Sequence, residues 1–369
     1  MNSRARTLAA VNNDPPDRTP MDFGGTPLAG CNSEFLKQIR REFGFSLPDD
    51  RDADGSWVDE QIQRELGVDL RVVPSEPPLA ILKEIDPPAY KAAVEARRQR
   101  ESRTDRSIKT PNVPREFPMA NATLSEIREM RPGRPDLPKY LDWMVETAKT
   151  YRAQGYATSC WLDCGFFETA CWLRGYEQTA IDLIAEPDIV RALCDVWLEE
   201  KLHRIEVTAR PLAPYIDLFC FGDDLATQKD LFMSPETFRA VFRPYYAAQY
   251  GRLHEVAPDS YIHHHSCGAV SKLIEDFIDI GIDVLNPIQP NAAGMEPRRL
   301  KQLGAGRLCY HGGIDLQWLL PFGTPEEVAA EAKKRMAILG DGGGYICAAA
   351  HSLPDDVPVA NIIALFSAQ

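Results

Sequence analysis

The 369-residue sequence has no long hydrophobic run: nothing in it approaches the length of a membrane span. Its first twenty residues, MNSRARTLAAVNNDPPDRTP, lack the apolar core of a secretion signal. Positive charge is in deficit, with 41 Lys and Arg against 54 Asp and Glu, a net charge of -13. Nucleic acid or an anionic membrane surface would be repelled at long range, so neither is an expected partner. No glycine-rich phosphate loop of the dinucleotide or Walker type follows any candidate strand. Cysteine is moderate and odd in number at nine, without the dense spacing of a disulfide framework. Cys160 and Cys164 miss the CxxC interval and are read as structural. There is no internal repeat and no low-complexity tract. These absences point to a cytoplasmic protein that handles small molecules.

What is present is a series of βα units. From about residue 215, short runs rich in β-formers alternate with amphipathic stretches: YIDLFCF, SYIHHH, IDVLNP, RLCYHGG and GYICAAAH are expected strands. Between them, SPETFRAVFRPYYAAQYGRLHEV, AVSKLIEDFIDIG and TPEEVAAEAKKRMAIL carry apolar residues at helical spacing. The last opens with a capping box of Thr324 and Glu327 around Pro325. Upstream, RTPMDFGG and YATSCWLDCG are expected strands too, which takes the count toward eight. An open doubly wound sheet and a (β/α)8 barrel both fit, and the missing phosphate loop favours the barrel. One domain is expected over 1–369, with residues 1–17 a flexible tail. Residues 45–140, rich in proline and holding the charge-dense ARRQRESRTDRSIK, are expected to be a partly helical insertion.

Five of the seven histidines then fall at or just after strand ends, where barrel enzymes keep their chemistry. Strand alternation sends His263, His265 and Cys267 to one face and His264 and Ser266 to the other. His311 and His351 follow the next strands but one and two, and Asp223, Asp224 and Gln289 also sit at strand ends. His263, Asp223 and His311 are the expected proton donors and acceptors. Asp22, Trp161, Phe166, Asp224 and Gln289 are the expected substrate contacts. The structural alternative is that Asp223 and Asp224 cap the next segment, that Cys267 is a small core residue, and that the aromatics are packing.

The segments GDDLATQ, HSCGAV, GIDVLNPIQ, LCYHGGIDLQWLLPFGTPEEV and GGYICAAAH, in this order, resemble the uroporphyrinogen decarboxylase superfamily, and within it the methyltransferase-like branch. The resemblance is dense from residue 155 to 369 and thinner at PDRTPMDFGG and LGVDLRVV. It implies a (β/α)8 barrel. Uroporphyrinogen decarboxylases themselves are known by an arginine-rich segment after the first strand; here that place reads MDFGGTPLAG, with Asp22 and no arginine. A substrate of many carboxylates would meet the wrong charge there. The branch implies a zinc site of His-x-Cys plus a distant cysteine. His265 and Cys267 match the first two, the third falls on His351 with Cys347 as the alternative, and Gln289 stands where the branch has a glutamate. Methyl transfer between a small methylated compound or methyl-corrinoid and an acceptor is the implied reaction. No DxHxxG signature is present, so a cobalamin would arrive free or on a separate corrinoid protein. The rival expectation is a metal-free lyase or decarboxylase acting on a small carboxylated substrate.

Overall fold

The structure, a computed structural model, describes residues 1–47, 58–103 and 117–369; of 97–103 only the backbone is described. Seven strands run in chain order, all parallel to their neighbours: β1 (Leu70–Val72), β2 (Ala157–Cys164), β3 (Leu218–Gly222), β4 (Tyr261–His265), β5 (Val284–Asn286), β6 (Cys309–Ile314) and β7 (Tyr345–Ala349). Parallel neighbours need crossovers, and helices between the strands cover the outside of the sheet. The sheet is a curled one of TIM-barrel type.

Seven regular strands are found among the described residues, rather than the eight expected. The expected strand in RTPMDFGG is reduced to a bridge at Met21 against Cys347. Its backbone still reaches both edges of the sheet: Asp22 N–H bonds Cys347 O at 2.9 Å, Cys347 N–H bonds Pro20 O at 2.9 Å, and Asp69 N–H bonds Met21 O at 2.9 Å. Two local facts keep it from lengthening. Pro20 has no N–H to give, and the Met21 N–H is taken by the Asp69 carboxylate at 3.0 Å rather than by a strand.

The amino-terminal end of the barrel is closed by residues expected to be a flexible tail. Ser3–Val11 is a helix, capped by the Asn2 side chain on Ala5 N–H. Its Val11 packs with Leu70, Ala157, Leu218, Val284, Cys309 and Ile346, one inward side chain from each of six strands. Each such aliphatic burial is worth about 2 kcal/mol. Arg6, nearly buried, bonds Asp69 at 2.6 Å and Asp17 at 2.6 Å, tying helix to sheet. Charge pairing across 63 residues made this segment part of the core, and no local pattern announces it.

The expected insertion, residues 45–140, contributes described helices at Glu60–Glu65, Leu79–Ile85, Pro87–Arg103 and Leu124–Glu129. It also holds β1, which the sequence reading took for irregular chain; three residues centred on a buried arginine do not look like a strand. Residues 48–57 and 104–116, including the end of the charge-dense stretch, lie outside the described residues. Elsewhere the helices follow the pattern. Pro325–Leu339 has its capping box, with Thr324 N–H bonding Glu327 Oε2 at 2.8 Å and Glu327 N–H bonding Thr324 Oγ1 at 3.3 Å. The run from Ser234 divides into Pro235–Val241 and Arg243–Val256, because Pro244 suits only the first turn of a new helix.

Candidate active site at the carboxyl end of the sheet

β4 pairs with β3 through His265↔Gly222 and with β5 through His265↔Asn286. Alternation divides its histidines as the period of two requires. His263 and His265 face the interior. His264 turns out to the helix layer, where its Nδ1 lies 2.8 Å from Tyr250 Oη and its ring packs on Phe277 at 5.4 Å.

Beyond β4 the chain is held in place by two side chains. Asp224 accepts Cys267 N–H at 2.8 Å, and Gln289 accepts Gly268 N–H at 3.0 Å. Gly268 has φ of 91°, and a Cβ there would lie 2.5 Å from Thr227 O, so only glycine lets the loop turn so tightly. The result sets Cys267 Sγ 3.4 Å from His265 Nε2. His351, two residues past β7, brings its ring centroid to 5.4 Å from that of His265. One ligand atom each from His265, Cys267 and His351 lie within 4.8 Å of one another. Cys347, the alternative third ligand, is not in this group: it is fully buried within β7, four residues below His351, or about 13 Å along an extended strand.

Deeper in the interior a second set of groups is linked to the first. Asn286 Oδ1 lies 2.5 Å from His265 Nδ1, and Asn286 Nδ2 lies 2.9 Å from His311 Nδ1. His263 Nε2 is 2.8 Å from the same His311 Nδ1. On its far side, His311 Nε2 stands 3.1 Å from Asp22 Oδ2, a charge contact too bent to count as a hydrogen bond. His311 lies inside β6, not after it as expected. All of these side chains are buried. Asn286 was absent from the expected site. Its signal was a polar residue closing the strand in DVLNP.

Several expected roles change. Asp22, expected to meet substrate, is buried and spends its carboxylate on Gly25 N–H at 2.7 Å and Thr26 Oγ1 at 2.6 Å. Asp223, expected as a proton carrier, turns outward to the helix Phe166–Arg174. It accepts the N–H of Phe167 and of Glu168, each at 2.8 Å, and the Tyr246 hydroxyl. Two orphan amides at a helix start recruit a carboxylate more strongly than the cavity does. Phe166 is core: 1% exposed, edge-on to Tyr246 at 5.2 Å, with Lys201 over its ring at 5.3 Å. Asp224 and Gln289, expected as substrate contacts, hold the loop amides described above. Trp161, also expected to meet substrate, lies against the end of β3. Its ring crosses Gly222, where a Cβ would lie 2.7 Å from the indole and 3.6 Å from His265 Cβ, and it helps line a cavity of about 1080 Å³ with Leu79, Leu82, Ala89 and Ala92.

The electrostatics suit a cation. Burial pulls His265 down to about 4 and lowers His351, leaving both imidazoles neutral, the form that ligates. Burial, then Asp224 and Glu168, push the Cys267 thiol up to about 12. A divalent ion reverses that last sign, because its charge favours thiolate. Two imidazoles and a thiol are a donor set of the kind zinc takes. Glu168, on the first turn after β2, was another residue the sequence reading passed over; burial, then Asp223 and Asp224, push it up to about 7.

His264 gives a prediction about stability. Burial lowers it to about 3, against about 6.5 in an unfolded chain. The unfolded chain therefore takes a proton that the folded chain refuses, so this contribution is complete above pH 6.5 and is lost as pH falls toward 3. Glu168 and Asp223, raised to about 7 and about 6, act in the opposite sense. Urea unfolding of wild type and His264→Leu at pH 7.5, 6 and 5 isolates the histidine. The variant's stability is expected to fall less on acidification, by about 1.4 kcal/mol per pH unit below pH 6; parallel profiles would refute it.

A parallel βα sheet of barrel type, with imidazole and thiol donors gathered at its carboxyl mouth, defines the general class of the molecule. The chain belongs to the uroporphyrinogen decarboxylase family, whose model matches residues 107–369. No curated protein sequence matches it. Among solved structures, a methyltransferase from Methanosarcina mazei is similar over 100% of this chain and 98% of its own, with 16% identity and a TM-score of 0.59. A GH10 xylanase from termite gut, carrying a bacterial Ig-like domain, is 8% identical over 65% of this chain and 67% of its own, with a TM-score of 0.40.

Proposed function

We propose that the protein is a methyltransferase of this family, moving a methyl group from a small methylated substrate or methyl-corrinoid to an acceptor, and that it is not a uroporphyrinogen decarboxylase. The observation that carries the reading is the approach of His265, Cys267 and His351 at the mouth of the sheet. These three residues would hold zinc, which supplies Lewis acidity that makes an acceptor thiol more acidic or polarises a methyl donor. The acceptor's lone pair would form the new bond to carbon while the old bond's pair departs with the donor atom. An ether, amine or thioether donor takes up a proton as it leaves, a corrinoid donor leaves with the pair on cobalt and takes none, and a thiol acceptor gives its proton to solvent. The chain's own part is positional: Asp224 and Gln289 hold the Cys267 loop, and Trp161, whose indole lies against Gly222, lines the large cavity. Residues 1–369 are read as one (β/α)8-type domain, with Pro20–Asp22 in the place of an eighth strand.

Asp22 supports the distinction from a decarboxylase of polycarboxylates, since its buried carboxylate occupies the interior where cations would be required. The metal-free lyase reading needs Asp223 beside His263 and His311, and the Asp223 carboxylate is turned to a helix instead. The test is the purified protein mixed with reduced cobalamin and a panel of methyl ethers, methylamines and methyl thioethers. Conversion to the methylcobalamin absorbance spectrum with at least one donor is expected, as is methylcobalamin demethylation by a small thiol. Neither change at stoichiometric zinc would overturn the proposal.

A further inference from the structure

We infer that Asn286 is a positioning residue that locks His265 in the Nδ1–H tautomer, and that the lock takes its direction from the Asp22 carboxylate. The inference rests on the reading of His265 as a metal ligand. The amide of Asn286 is used at both ends, its oxygen 2.5 Å from His265 Nδ1 and its nitrogen 2.9 Å from His311 Nδ1. An amide so placed can transmit a direction, because one end only accepts and the other only donates.

The direction is set at the inner end. Asn286 Nδ2 can only donate, so His311 Nδ1 accepts and the His311 proton is on Nε2, where the Asp22 carboxylate 3.1 Å away favours N–H over a lone pair by charge without forming a hydrogen bond. His311 Nδ1 is then a lone pair, and it receives N–H from Asn286 and from His263 Nε2 at 2.8 Å. That orients the Asn286 oxygen toward His265, whose Nδ1 must donate. What remains on His265 is the lone pair of Nε2, which lies 3.4 Å from Cys267 Sγ and beside His351; Asp224 Oδ1, 3.7 Å from the same nitrogen, is beyond hydrogen-bond distance and is engaged by Cys267 N–H. The opposite amide orientation would put the proton on His265 Nε2, where a metal must bind, and would turn a lone pair of His311 against the Asp22 carboxylate. The same assignment explains why His263 Nδ1 is buried without a partner: its proton is on the other nitrogen. A partner on the second nitrogen of a ligating histidine typically matters 10- to 100-fold in metal affinity.

The test uses the full chain labelled with ¹⁵N at histidine, as wild type, Asn286→Leu and Asn286→Asp, read by NMR without metal and by zinc titration against a chelator of known affinity. Wild type is expected to show His265 protonated at Nδ1 only. In the leucine variant that signature should shift toward Nε2–H, and zinc should bind about 10- to 100-fold more weakly. The aspartate variant keeps an acceptor opposite Nδ1–H and should recover the wild-type tautomer and most of the affinity. If the leucine variant misfolds, Asn286→Ser, too short to reach either ring, carries the same comparison. An unchanged tautomer and an unchanged zinc affinity in the variant lacking the amide overturn the inference. A wild type that binds no zinc but loses its tautomer signature with Asn286 overturns the metal reading and leaves the lock standing.

Discussion

Cys267→Ser is expected to weaken zinc binding by about 10²- to 10³-fold, and His265→Ala by a similar factor. Zinc held by protein donors is worth about 10–16 kcal/mol, so one donor of three or four accounts for roughly 3–4 kcal/mol. Serine keeps the size of cysteine but offers a hydroxyl far harder to ionise, so the loss measures thiolate ligation rather than packing. Metal analysis and chelator competition on the purified proteins are the readouts. His351→Ala should behave alike. Cys347→Ala should keep its zinc, because that thiol is buried in β7 away from the three donors. Retention of full affinity by both Cys267→Ser and His265→Ala would place any metal elsewhere.

The second large effect is structural. Asp223→Ala is expected to cost about 4 kcal/mol or more in unfolding free energy. The side chain is fully buried and bonded to two helix amides and a tyrosine hydroxyl, all orphaned by alanine at roughly 1–3 kcal/mol each. Gly165→Ala should act at the same point, since its Cβ would lie 2.0 Å from Asp223 Oδ2, a contact no rotamer of a triply bonded carboxylate relieves. Chemical denaturation gives the stability, and zinc affinity of the folded fraction gives the site. A proton carrier would show the reverse: near-normal stability with lost turnover.

Much of this was legible in the chain. The strands from β3 onward, the capping box at Thr324 and the alternating faces of β4 follow from local rules of period and capping, which depend on residues a few positions apart. Imidazole and thiol at strand ends marked the region, and His265, Cys267 and His351 were expected as ligands because the resemblance to the methyltransferase-like branch implies a His-x-Cys site with a distant third donor. Asp223 misled for the same reason that it mattered: a carboxylate after a strand has the same appearance whether it turns to a cavity or to a neighbouring helix, and the deciding amides lie more than fifty residues away.

The sequence by itself determined the type of sheet, the order of its strands and the kinds of donor at their ends, since periodicity and composition act over short stretches of chain. Only the tertiary structure decided which donors meet. It set His351 rather than Cys347 beside Cys267, gave Asn286 its place between two imidazoles, and drew the first helix under the barrel. Each of these depends on register between strands and on charge pairs that close long loops, and such distances are fixed by packing in three dimensions.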